Sequence, residues 1–322
     1  MRAQVAEYIE ETPWAILPSR LRQWVAALAS DEPDEQIRAR FNSAPRPAAQ
    51  NGAGVGVVQI VGPISQRTTL LEALFGFGTS TNSVAAQVKA LVSDPGVKAI
   101  VLDIDSPGGS VFGVQELAQI ILDARDVKPV IAMANSLMAS AAYWIGSAAS
   151  EVVASPSAMV GSVGVVVVHM DESKMLEMIG VKPTFITAGK YKAEGDPAQP
   201  LSDAARERLQ AMVDQYYAAF VGGVARGRGV PVAHVRTDYG QGRLLTAKEA
   251  LSVGMVDRIA TLDETLGRVL SGKRGMGARA LEDAIPLMDA PKPTVPEEKE
   301  WHDLCASGRD ARARRLALAR LR

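Results

Sequence analysis

Ser140 stands in the run Met138-Ala139-Ser140-Ala141-Ala142, among small residues at the start of an expected helix. Upstream, Gly108-Gly109 closes the run DIDSPGG, just after the apolar stretch Ala99-Ile100-Val101-Leu102. A serine at a strand-to-helix turn can act as a nucleophile, and the N–H that follows it can steady an oxyanion. A Gly-Gly pair after a strand lets backbone N–H groups approach a ligand oxygen, because no Cβ intervenes. Each feature also has an ordinary reading. S-P-G-G is a common turn, and a serine among alanines is a common packing residue.

A nucleophilic serine needs a base. The chain has three histidines. His302 falls in the C-terminal tail and His234 beyond the long helix expected after residue 202. His169, after the apolar run Val165–Val168, is the one within the expected core, where it reads as a strand-end residue with a local hydrogen bond. A Ser-His-Asp triad is therefore poorly supplied. The other route is a neutral lysine amine. A free lysine titrates near ~10.4 and needs burial or hydrogen bonding to become a base at neutral pH. The loop TAGKYKAEGDP offers Lys190 and Lys192. Spacing does not choose between them, and a solvated loop lysine is the ordinary reading of either.

The elements that must position these groups follow a β-α rhythm from Val55 onward. Strands are expected at Val55–Val61, Lys98–Ile104, Pro129–Ala134, Glu151–Ala154, Gly164–Met170, Lys182–Thr187 and Val256–Ile259. Helices are expected after Ser83 as cap, then at Val111–Ala124, Leu137–Ala149, Asp171–Ile179, Ser202–Gly222, Thr246–Val253 and Leu262–Leu270. Thr246 with Glu249 three residues on reads as a capping box. Alternation of this kind argues α/β layers with largely parallel strands. Before Val55 lies an arm with Trp14, Ile16 and Leu17, then Pro18 opening a helix that carries Leu21, Trp24, Val25 and Leu28. The arm can pack on its own domain or on a partner subunit. DEPDEQ and SAPRPAAQNGAG form a linker. Phe75 and Phe77 sit in an irregular loop. The expected organisation is an arm and linker over 1–54, a catalytic domain over 55–270, and a charged tail over 271–322.

Composition bounds the rest. The chain has 322 residues, 47% hydrophobic and 22% charged, with a net charge of −1. That supports a sizeable core and supplies no global pull toward nucleic acid or anionic lipid. A single cysteine, Cys305, leaves no internal disulfide and fits a reducing compartment. The start has no secretory pattern, and no apolar run is long enough for a membrane span. The tail, rich in Gly, Pro and charge, reads as disordered. Its end, GRDARARRLALARLR, is basic, so nucleic-acid contact is expected only through it.

SPGG, MASAAYW, GSVGV, GKYKAEGDP and GRLLTAKEALSVGMVD together resemble the signal peptide peptidase A family of serine proteases, from about Val55 to Leu270. The resemblance implies a ClpP/crotonase-like α/β fold of repeated β-β-α units, a homo-oligomeric ring, and endopeptidase activity with no metal or nucleotide cofactor. It makes Ser140 the nucleophile, Lys192 rather than Lys190 the general base, and Ser162 the residue that holds the lysine amine. Gly108, Gly109 and the Ala141 N–H become the oxyanion donors. Where the family has two glycines after the nucleophile, this chain has Ala141 and Ala142. The start YIEETPWAILP resembles the phage and prophage branch, whose members process capsid or scaffold protein. That implies a cytoplasmic location in a bacterial host or inside a procapsid. Three rivals stay open: a His-dependent ClpP-like protease, a crotonase-type acyl-CoA enzyme, and a non-enzymatic ring or scaffold.

Overall fold

The computed structural model describes residues 9–10, 12–28, 30, 50–51, 54–67 and 78–271. The basic tail, Cys305, His302, Phe75 and Phe77 lie outside the described residues.

The fold is α/β with a largely parallel main sheet. Strand β1 is Trp14–Ile16, followed by helix α1 at Pro18–Leu28. Then come β2 (Gln50–Asn51), β3 (Val55–Val61), β4 (Ile64–Ser65), β5 (Thr79–Ser80) and α2 (Thr81–Ser93). Next are β6 (Ala99–Ser106), β7 (Gly108–Ser110), α3 (Val114–Arg125), β8 (Val130–Ala139) and α4 (Ala141–Gly146). β9 (Glu151–Ala154), β10 (Met159–Gly161), α5 (Ser173–Met178), α6 (Asp203–Arg228) and α7 (Val232–Asp238) follow. The described chain closes with β11 (Leu244–Thr246), α8 (Ala247–Ser252), β12 (Arg258–Ile259) and α9 (Leu262–Leu270).

The main sheet runs β11-β10-β8-β6-β3-β2, with β9 also paired to β8 and β12 to β9. β3, β6, β8, β9 and β10 pair in parallel. Their apolar residues fill both faces, as a covered parallel sheet requires. Alternation then assigns the faces. Ile100, Leu102 and Ile104 join Leu117 and Ile121 of α3 in one core. Ala99 and Val101 point the other way, to a core with Leu262, Leu266 and Val269 of α9 packed against it. A second, small sheet runs β1-β7-β4-β5. β6 leaves the main sheet at Ser106, and β7 enters the small one two residues later, before α3. β3, β4 and α2 repeat that strand-strand-helix step.

Several sequence expectations change. The helix expected at Leu137–Ala149 is strand up to Ala139 and helix only from Ala141, because β10 pairs with Leu137–Ala139 and draws them into the sheet. The cap of α2 is Ser80, whose side chain accepts the Ser83 N–H. Gly164–Met170 contributes an isolated bridge, Val166 to Trp14, rather than a strand. Lys182–Thr187 is not a strand. It has β-forming residues but no neighbouring strand among the described residues, and Ile186 is 96% exposed. The capping box at Thr246 and Glu249 forms with both of its bonds.

Candidate active site

Ser140 is the hinge between β8 and α4. Its backbone sits at φ 57, ψ −119, a region that costs a non-glycine residue energy unless its surroundings enforce it. They do. Its N–H donates to the Gly161 carbonyl at 2.7 Å, and its own carbonyl accepts the Trp144 N–H at 3.0 Å to start the helix. α4 is braced in turn. The Tyr143 hydroxyl donates to the Met255 carbonyl at 2.9 Å, and Trp144 stacks on Phe220 of α6 with centroids 4.8 Å apart. Gly223 of α6 leaves the room that the Trp144 ring fills. Burial raises the Tyr143 pKa well above the usual phenol range, so it stays a neutral donor. Arg228 holds the far side, with two hydrogen bonds to Asp257. Burial opposes its charge, but the Asp257 bonds prevail and its pKa is raised.

Ser162 stands beside Ser140. Ala139 and Gly161 are register partners at the ends of the parallel strands β8 and β10, so the two serines leave the sheet side by side. Ser162 also has positive φ, at 54. Its N–H donates to the Arg243 carbonyl at 2.8 Å, next to β11. Ends of parallel strands are where α/β sheets place ligands. The Ser140 hydroxyl lies 3.4 Å from the Gly164 carbonyl, a long contact.

The Gly-Gly turn touches the serine. A methyl on Gly108, whose φ is 92, would come within 2.9 Å of Ser140 Cβ and collide with the Ala15 carbonyl oxygen. Gly109 lies between two backbones, paired with Ile64 on one side and Ala15 on the other. The Gly108 N–H is already used, donating to Ser106 Oγ at 3.2 Å, while the Ser106 hydroxyl donates to the Gly62 carbonyl at 2.6 Å. The sequence reading missed Ser106. Its only signal was its place in the SPGG run. Ala141 and Ala142 are buried, and neither has positive φ. The left-handed turn falls on Ser140 itself, so alanine in place of glycine imposes no backbone cost there.

The two loop lysines lie apart from this corner in character. Lys190 and Lys192 are both exposed. Lys190 Nζ sits over the Tyr191 ring at 5.0 Å from its centroid. The Lys192 backbone N–H bonds to Gly189, and its amine has no hydrogen-bond or ion-pair partner among the described residues. His169 follows no strand, and its Nε2 is buried with no hydrogen-bond partner among the described residues, against the local bond expected of it. His234 Nε2 donates to the Val253 carbonyl, and Nδ1 pairs with Asp238, on the far helix α7. Among the described residues no group of three His, Cys, Asp or Glu side chains could hold a metal ion, and no helix is long and apolar enough to cross a membrane.

Residues 123–274 match the model of peptidase family S49. The chain is 34% identical over 213 residues to capsid assembly protease C of Escherichia phage lambda, covering 66% of this chain and 48% of that protein. It is 32% identical over 179 residues to a putative protease of Methanocaldococcus jannaschii, covering 56% and 57% respectively. The chain thus spans about half the length of these relatives. Among solved structures, a ClpP1 variant from Listeria monocytogenes aligns with a TM-score of 0.42 at 18% identity, over 65% of this chain and 94% of that one. The buried serine at its strained strand-to-helix turn lies within the segment, residues 123–274, that is similar to peptidase family S49.

Proposed function

We propose that this chain is a serine endopeptidase working through a Ser-Lys dyad. Lys192, as the neutral amine, takes the proton from the Ser140 hydroxyl as Oγ bonds to a peptide carbonyl carbon. The N–H groups of Ala141 and Gly109 hold the oxyanion, while Gly108 gives their turn its shape. Ser162, beside Ser140, orients the amine. Lys192 then returns the proton to the leaving nitrogen as the C–N bond breaks, and water repeats the sequence on the acyl-enzyme. The observation that carries this reading is Ser140 itself, a buried serine at φ 57 touching Gly108.

Lys192 enters the site in an assembly of copies. The exposed segment with Phe185, Ile186 and Tyr191 and the half-exposed stripe of Leu209, Met212, Val213 and Tyr216 on α6 supply apolar surface for a copy to cover, as in a ring. The substrate is an extended protein segment. The likeness to a phage capsid assembly protease makes a capsid or scaffold protein the proposed substrate, with the enzyme acting in the bacterial cytoplasm or a procapsid.

The test is casein turnover and fluorophosphonate labelling by the wild type, Ser140→Ala, Lys192→Ala and Lys190→Ala. Turnover and labelling lost in the first two variants and kept in the third support the dyad. Loss with Lys190→Ala and retention with Lys192→Ala would move the base. Full activity in Ser140→Ala would end the reading.

A further inference from the structure

Strand β1 runs between the Gly-Gly strand β7 and Val166, next to Ser140. On one side it pairs antiparallel with β7, Trp14 with Ser110, Ala15 with Gly109, and Ile16 with Gly108. On the other, Trp14 exchanges both backbone hydrogen bonds with Val166, each at 2.8 Å. The flanking bonds, Leu17 N–H to the Pro107 carbonyl at 2.9 Å and Val111 N–H to the Pro13 carbonyl at 3.2 Å, fix the alternation of the ladder. That alternation makes Ala15 and Gly109 the hydrogen-bonded pair between them. The Gly109 N–H is thereby spent on the Ala15 carbonyl, and that oxygen lies against the same face of Gly108 as Ser140 Cβ. Ser140 is 1% exposed and Ala15 fully buried.

An extended substrate binds a sheet edge by adding a strand. Here β7, which touches Ser140 through Gly108, and the segment at Val166 are both paired with the arm. Ile16 also forms one wall of a cleft of about 430 Å³ that Ser162, Gly164 and Tyr217 line. We infer that residues 13–17 act as an internal competitor in the substrate lane: they must leave β7 before an outside peptide can be cut. The arm also indicates what the lane takes, an extended apolar segment with a small residue opposite Gly109. This rests on the protease reading above.

A tethered segment competes at an effective concentration of order millimolar, so cutting the tether weakens it without changing a contact. The experiment places a site for a sequence-specific endoprotease between residues 31 and 49 of the full chain. Cleavage and removal of the arm should raise kcat/KM on an apolar fluorogenic peptide by at least about tenfold. A synthetic peptide of residues 8–30, added back, should raise KM without lowering kcat. An unchanged rate after removal, with Ser140 labelled equally by a fluorophosphonate before and after, would overturn the inference and leave the protease intact. No labelling in any state would overturn the protease reading and this inference with it. If the armless chain loses its folded circular-dichroism spectrum, a second variant decides. Trp14→Cys with Ser110→Cys joins a facing pair of β1 and β7. Activity lost on oxidation and restored by reductant supports the inference, and equal activity in both states with the disulfide fully formed overturns it.

Discussion

The corner at Ser140 and the loop at Lys192 are built in opposite ways. Ser140 is fixed from every side: by the Gly161 carbonyl, by the first turn of α4, by Gly108, and behind these by the Trp144–Phe220 stack and the Tyr143 hydroxyl. Lys192 is fixed by one backbone bond in an exposed turn. A strained serine needs surroundings that over-determine it, and the single chain provides them. A lysine that serves as a base needs a site that removes water from its amine, and the single chain leaves that amine in solvent. On the proposed dyad, the difference means that one copy preforms the serine, and that the base is to come from a neighbour or from a rearranged loop.

The hardest test of that contrast removes each group in turn. Ser140→Ala should cut kcat by at least about 10³-fold, read as casein turnover, with the melting curve unchanged. Lys192→Ala should lose a comparable factor, while Lys190→Ala should stay within about threefold of wild type. Dilution sharpens the comparison. If the base is lent by a copy, specific activity should fall as the protein is diluted below its assembly concentration, and fluorophosphonate labelling of Ser140 should fall in parallel. A concentration-independent rate would place both groups in one chain.

Smaller effects probe the brace. Gly223→Ala would drive a methyl into the Trp144 ring, an overpacking of the kind that costs about 1–3 kcal/mol. Urea denaturation should show it, together with a loss of activity, because α4 carries Ser140. The mildest effect is expected at the end of β11, the strand that follows the Arg243 carbonyl holding the Ser162 N–H. Backbone and side-chain bonds from Thr246 lower the Glu249 pKa below 4.5. The stability they confer is full above that value and is lost as pH falls through the lower folded pKa. Glu249→Gln should therefore cost about 0.5 kcal/mol near neutral pH, discounted for exposure. The gap to wild type should close as pH drops below 4.5, read from urea midpoints across pH.

Most strands of the main sheet were legible because a buried parallel strand is an unbroken apolar run, and Val55–Val61 and Glu151–Ala154 fall as read. Lys182–Thr187 misled for the same reason. Its residues favour a strand, but a strand exists only against another, and the described residues offer none there. The end of β8 misled in reverse. Leu137–Ala139 reads as helix with the alanines that follow, and pairing with β10 overrides that preference.

The sequence by itself determined the α/β alternation, the serine set among small residues, the Gly-Gly turn and the capped helices, since these follow from local periodicity and from what glycine and serine do to a backbone. Only the tertiary structure decided that Ser140 and Ser162 emerge side by side, that Ser106 consumes the Gly108 N–H, and that Trp14–Ile16 lies along Gly108–Ser110 beside Ser140. Those three facts depend on register between segments far apart in the chain. Register is settled by hydrogen bonds and packing across the sheet, which no window of sequence contains.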